Sequence, residues 1–402
     1  MESKSRRFEM VEGSASKFWE IRVEGATFTV TYGKIGTAGT SKTTTAASPE
    51  AAAAEADKLV REKTKKGYQE LGAAENWRPP THIGTLAHVE RFMNYKVTDF
   101  NPDADPEDEG EDGRRALPTL RDLDKRVYRV GIGYDDADED FTTRLDALLA
   151  DPRVGDLRGL VIGSWFSEVC EDGPTELVER LVANAAKLTS LKGLFIGDIV
   201  QEECEISWLH QTDLSPLLHA FPNLEVFYVR GGEGLRFTDL SHANLRTLVV
   251  QAGGLPREVV RDIGAANLPE LRVLTLWLGT DDYGGDTKPG DLAGILAGDR
   301  FPKLEHLGLQ DSVIQDAVTI AVTKSTLLAR IKGLDLSMGT LTDAGGQALL
   351  GCTAVRGLSH LNLRHHYLSA DMVKKIKALG VEVNTADRQE PDEDYRYVEV
   401  AE

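Results

Sequence analysis

The chain has 402 residues, 41% apolar and 28% charged, which suffices for one large core or two smaller ones, and two domains is the natural expectation. A formal charge of −19 excludes nucleic-acid binding over the whole surface, since phosphates would be repelled before contact. The opening MESKSRRFEM holds no apolar run of signal-peptide length and no later stretch approaches the roughly 18 apolar residues of a membrane span, so a cytoplasmic protein is expected.

Charge is unevenly spread. Residues 1–80 carry 13 Lys and Arg against 11 Asp and Glu, leaving −21 on the remainder, so only this N-terminal part could tolerate a polyanion. From Lys17 to about Thr45, FWEIRVEG and ATFTVTYGKIG alternate apolar or aromatic with polar residues across a Glu24-Gly25 turn, which predicts a small antiparallel sheet. Ser48-Pro49-Glu50 then supplies an N-cap and a first-turn proline, AAAAEADKLVREKTKK continues as a helix, and Gly67 is a C-cap. Residues 5–75 resemble the WGR domain, through Gly33, Gly36 and Gly39, the following Ser41-Lys42, and the closing EKTKKGY. Here Tyr32-Gly33-Lys34 stands where the family has Trp-Gly-Arg. In the poly(ADP-ribose) polymerases the triplet helps to grip DNA ends, and a smaller ring with a point-charge lysine offers less stacking area and no forked guanidinium. The resemblance implies Tyr32, Gly33, Lys34, Lys42, Lys65 and Lys66 as nucleic-acid contacts; the alternative is that Lys65 and Lys66 offset a helix dipole and Tyr32 packs on the sheet.

Residues 81–120 read as a linker, with a densely acidic stretch at 99–113 that cannot bury apolar surface, although the strand-like, aromatic-containing stretch from His88 to Phe100 could dock instead. Beyond it a Leu-x-x-Leu-x-Leu element recurs, beginning at Leu157, Leu191, Leu224, Leu245, Leu271, Leu304, Ile331 and Leu358, with VYRVGI from Val127 as an N-terminal strand. Helical segments such as TTRLDALLADP, TELVERLVANAAKL, LSPLLHAF and ADMVKKIKALG lie between the copies. A strand–loop–helix unit cannot bury its own apolar face, so neighbours must stack. The pattern resembles the leucine-rich repeats, which implies a solenoid with parallel strands on the concave side and helices on the convex side. Together the two modules resemble bacterial molybdate-metabolism-regulator-like proteins.

Period-two alternation turns the residues between the core leucines toward the concave face. That set includes Val161, Phe195, Val226, Tyr228, Arg230, Val249, Gln251, Thr275, Trp277, His306, Gln310, Asp335, Ser337, Asn362 and Arg364, with Trp165 just past the first copy. Large rings and arginines suit interface anchors, so Trp165, Phe195, Tyr228, Arg230, Gln251, Trp277, Gln310, Asp335 and Arg364 are the candidate partner-binding residues; coverage by inserted loops is the alternative. Gly131-Ile132-Gly133 lacks the third glycine of a dinucleotide loop, Gly163 opens no nucleophile elbow, and no cysteine has an evident activating histidine. Cys170, Cys204 and Cys352 are too scattered for a disulfide framework or zinc, and His360, His365 and His366 read as surface or packing residues. No catalytic residue, metal or cofactor is expected.

The expected fold is α/β: a sheet-plus-helix WGR-like domain at 1–80, the linker, a leucine-rich-repeat solenoid at 121–390 and an acidic tail at 391–402. The expected function is non-enzymatic, with the solenoid binding a protein and residues 1–80 giving a second contact. A DNA-associated regulator or repair accessory is the alternative, separated by whether residues 1–80 bind DNA. No membrane contact and no small-molecule substrate is evident.

Overall fold

The computed structural model describes residues 4–12, 15–34, 39–70, 86–105, 115–133, 140–166 and 172–402. The chain divides into two compact units, one of residues 1–77, 91–96 and 124–126, the other of 78–90, 97–123 and 127–402.

In the first unit, β1 (Lys4–Glu12), β2 (Ala15–Glu24), β3 (Thr27–Lys34), β4 (Thr40–Thr45) and β5 (Gln69–Glu70) form an antiparallel sheet in the order β4-β3-β2-β1-β5. The strands predicted from Lys17 onward are there, with the turn at Gly25-Ala26; β1 and β5 are additional. Helix α1 (Pro49–Thr64) starts where expected, its Ser48 hydroxyl accepting from Ala51 N at 3.2 Å. Ala52, Ala56 and Val60, at every fourth position, put one narrow helix face against Phe8, Trp19, Ile21 and Phe28 of the sheet. Gly39 takes a left-handed φ of 72°, and a Cβ there would lie 2.5 Å from the Phe18 ring and 2.8 Å from Tyr32 O, which explains one glycine of the spacing.

Further along the chain, β6 (Arg91–Phe92) and β7 (Tyr95–Asp99) pair as a hairpin. The larger unit opens with β8 (Arg126–Val130) and α2 (Phe141–Ala150), then β9 (Gly159–Ile162), α3 (Thr175–Ala183), β10 (Gly193–Ile196) and α4 (Ser215–Ala220). Strands β11 (Val226–Arg230) and β12 (Thr247–Gln251) follow without a helix between them, because the copies starting at Leu224 and Leu245 stand closer together than any other pair, and α5 (Arg257–Ala265) comes next. The array continues as β13 (Val273–Gly279), α6 (Ala293–Ala297), β14 (His306–Ser312), α7 (Gln315–Thr323), β15 (Gly333–Asp335) and α8 (Asp343–Gly351). It ends with β16 (His360–Asn362), α9 (Ala370–Lys377) and β17 (Glu382–Asn384).

Each strand from β8 to β17 pairs in parallel with the next, so the larger unit is a leucine-rich-repeat solenoid. Its axis is a ladder in register: Leu160, Leu194, Phe227, Leu248, Leu274, Leu307, Leu334 and Leu361, all buried. Each such side chain contributes about 1.5–3 kcal/mol by leaving water. The predicted copies all became strands. One more, β17, escaped the pattern because Val383 stands opposite Leu361 and Gly380 and Thr385 occupy the flanking leucine positions.

Two boundaries need correction. Much of 81–120 is ordered packing rather than linker: Leu86, Phe92, Phe100, Leu117 and Leu120 are buried, and Asp99 pairs with Arg129. Residues 106–113 of the acidic stretch lie outside the described residues. Within the tail at 391–402, Val398 and Val400 are buried.

Candidate functional site

The strand face opposite the helices carries the residues that alternation predicted. Val161, Phe195, Tyr228, Val249 and Thr275 are successive neighbours in register, Arg230 lies beside Gln251, and Trp277 beside Gln310. Their expected exposure, however, is not found. Trp277 is 2% exposed and Arg230 0%, and Phe195, Tyr228, Gln251 and Gln310 are buried too, while Asp335 and Arg364 are half-buried. Of the wider set, Val161, Val226, Val249, Thr275, Ser337 and Asn362 are buried and His306 half-buried. Trp165 is half-buried, its indole donating to Asp172 O at 2.7 Å. The chain covers this face with its own segments, one of them an inserted loop of the kind the alternative reading named.

One cover comes from the long interval between the copies at Leu191 and Leu224, which leaves room for a loop from Ile199 to Leu209. Arg230 Nη1 donates to Ile199 O at 2.6 Å and Nε to Gln251 Oε1 at 3.0 Å, with the guanidinium 5.5 Å from the Phe195 ring centre. A second cover is the segment from Leu86 to Glu90. Val89 N donates to Asp198 Oδ1 at 3.1 Å, and His88 lies 3.4 Å from Asp198 Oδ2 and 3.5 Å from Glu203 Oε1. Arg129 bonds Asp99 at 2.6 Å and approaches Asp198 at 3.5 Å. A third cover is Val398–Glu402, where Val400 joins Leu86, Ile206, Trp277 and Met338 in one apolar cluster.

Electrostatics explain why these charges stay inside. Burial would raise the Asp198 carboxyl, but the His88 hydrogen bond and the Arg230 and Arg129 charges hold it below its ordinary value. Burial likewise pulls His88 down, and hydrogen bonds to Asp198 and Glu203 outweigh it, leaving His88 raised. Among the described residues no such cation acts on Asp311 or Asp335, and burial pushes both up.

His365, Asp387 and Glu399 converge, with ligand-capable atoms within 4.8 Å of one another, a grouping from distant sequence that spacing did not reveal. Arg364 lies between the two carboxylates, 2.9 Å from Asp387 and bonded to Glu399, and supplies the positive charge they need. His360 stacks on His306 at 4.9 Å, and His366 is buried against Thr385 O, so these histidines pack. Cys204 is a buried free thiol and Cys352 a half-buried one; Cys170 lies outside the described residues.

In the first unit Tyr32 is 48% exposed and continues a row of rings with Trp19 and Phe8 across the register. Lys34, Lys42, Lys65 and Lys66 are exposed and Gly33 half-buried. Sequence reasoning missed two further cations. Lys17 stands directly opposite Lys34 across β2 and β3, and the Lys63 ammonium lies 5.7 Å from the Trp19 ring centre and 4.8 Å from that of Tyr68. Burial, then Lys66 and Lys17, lower the Lys63 pKa. Like charges facing one another across a sheet are unfavourable, and such a group suits an anion. Lys42 pairs with Val30, further along the sheet. The signal for Lys17 was legible in the strand register; that for Lys63 needed the helix docked. Trp208, 55% exposed in the Ile199–Leu209 loop, was also missed, since no repeat position predicted it.

The WGR domain family model matches residues 5–75. A Bacteroides fragilis protein of known structure is 30% identical over an alignment covering 99% of each chain, with a TM-score of 0.67. The uncharacterized protein YfeS of Escherichia coli is 42% identical over 65 residues, 16% of this chain, so the chain spans about a quarter (27%) of that curated relative. An internalin of Listeria monocytogenes (17% identical, 51% of this chain and 64% of that chain) has a TM-score of only 0.24.

Proposed function

The chain belongs to the same family as the Bacteroides fragilis protein that matches it along 99% of its length, and from that premise we propose a non-enzymatic, cytoplasmic interaction protein whose solenoid recognises another protein. The carrying observation is that the solenoid's strand face already holds two stretches of polypeptide, Leu86–Glu90 and Val398–Glu402, through main-chain N–H groups donating to buried carboxyls and through buried apolar side chains. A surface that holds its own chain in this way has the chemistry for holding another. The test is affinity capture of the intact protein with and without nuclease, followed by cross-link mapping. A nuclease-resistant protein whose cross-links fall on residues 127–402 is expected; repeated capture of none overturns the reading.

The second reading is a DNA-associated regulator, favoured by the WGR domain and by Lys17, Lys34, Lys63 and Lys66 beside exposed Tyr32. With four cations engaged, binding of duplex DNA ends should weaken steeply with salt, the log–log slope approaching about −3 to −4. The Lys17→Glu, Lys63→Glu variant of the full chain should lose at least tenfold in affinity at low salt. Undetectable binding by the unaltered chain at low salt removes this reading.

A further inference from the structure

At one register position, four consecutive repeats carry a non-glycine residue in the left-handed region: Asp311 (φ 53°), Met338 (71°), His365 (54°) and Asp387 (59°). Each lies five positions past His306, Gly333, His360 and Glu382, which pair with one another across β14 to β17. Left-handed backbone is uncommon for non-glycine residues, least so for Asp and His, and where surrounding structure enforces it, it clusters at active sites, ligand clamps and switch regions. Three of the four touch the same segment. His365 Nε2 lies 3.2 Å from Tyr397 O, Met338 O accepts from Glu399 N at 2.8 Å, and Asp311 Oδ1 accepts from Val400 N at 3.0 Å. The segment therefore crosses the repeats one after another and meets each through its main chain.

Its side chains are read in turn. Val398 and Val400 are buried, Val400 against Trp277 and Met338, and the Glu399 carboxylate bonds Arg364. At Ala401 the backbones close up, since a Cβ on Gly253 would lie 2.2 Å from Ala401 O. Glu402 accepts from the Tyr283 hydroxyl. Two observations mark the occupant as replaceable. Asp311 is 0% exposed and its Oδ2 has no hydrogen-bond partner among the described residues, so the segment leaves a buried carboxyl oxygen unmatched. Residues 391–397, which lead into the groove, are all exposed.

We propose that the groove crossed by Tyr397–Glu402 is a recognition site for an extended partner segment of the pattern apolar, acidic, apolar, small, acidic, and that this chain's own segment closes it as an internal competitor. The inference rests on the protein-interaction reading above and assigns its partner chemistry and location.

A fluorescent peptide of sequence RYVEVAE, titrated against full-length chains, tests it. The unaltered chain should bind weakly. Two opened variants, Val398→Asp with Val400→Asp, and separately Glu399→Arg, should bind at least tenfold more tightly, and adding Arg364→Glu should remove that gain. A scrambled peptide should not bind. Opened variants that keep their circular dichroism and cooperative melting yet ignore the peptide overturn the proposal. So does loss of folding in both, which would make the segment an integral part of the fold. Light scattering should find the unaltered chain monomeric; a dimer abolished by Val398→Asp means exchange between copies and overturns a separate partner. If the opened variants ignore the peptide while capture still yields cross-links on residues 127–402, only this inference falls.

Discussion

Asp198 is fully buried and remains charged because His88, Arg129 and Arg230 face it, whereas Asp311, equally buried, meets main-chain N–H groups and the like charge of Glu399, and burial pushes it toward its protonated form. The difference sets how pH acts. His88 is raised in the folded chain, so its contribution to stability is complete below its unfolded value of about 6.5 and is lost as pH rises through the higher folded value. His88→Gln should therefore be less stable than the unaltered chain at about pH 5.5, with the gap narrowing by about pH 9, in urea titrations at constant ionic strength. His242 and His366, lowered by burial, act in the opposite sense but are common to both chains and cancel in the difference. A gap that widens with pH would refute the assignment.

At the scale of elements, α1 shows how local chemistry fixes a boundary. Ser48 and Pro49 start the helix and the regular spacing of small side chains presses it onto the sheet, so the cap is not a surface ornament but sets where docking begins. Ser48→Ala should cost about 1 kcal/mol, seen as roughly fivefold faster amide hydrogen exchange in the first turn of α1. Unchanged exchange there would show that sheet packing alone anchors the helix. Between β11 and β12 the opposite holds: the short interval from Leu224 to Leu245 leaves no length for a helix, and extended segments bridged at His210–Glu233 and Asp213–Arg236 line that side instead.

At the scale of the whole molecule, the solenoid's stability is a sum over neighbours, and position along the array decides a mutation's cost. Phe227 is buried between Leu194 and Leu248 in the ladder, so Phe227→Ala should cost about 3–5 kcal/mol. Val383 is half-buried on the last strand with one neighbour, and Val383→Ala should cost about 1 kcal/mol or less. Equal shifts in guanidinium midpoint would contradict nearest-neighbour stacking.

The sequence by itself determined the two-module order, the WGR resemblance, the strands of the repeats and the face to which each alternate residue points, because strand alternation and a recurring leucine element are local properties of a chain. It also placed the Ser48 cap correctly. Whether the strand face is open was decided only by tertiary structure: Trp277 and Arg230 sit where alternation put them, yet Leu86, Ile199 and Val400, from three distant stretches, cover them. The same holds for the approach of Lys63 and Lys66 to Lys17 and for Asp311, since proximity between residues far apart in sequence has no period to read. Docking of those stretches depends on single contacts such as Val89 with Asp198 and Glu399 with Arg364, which leave no repeat in the sequence and exist only once the array is stacked.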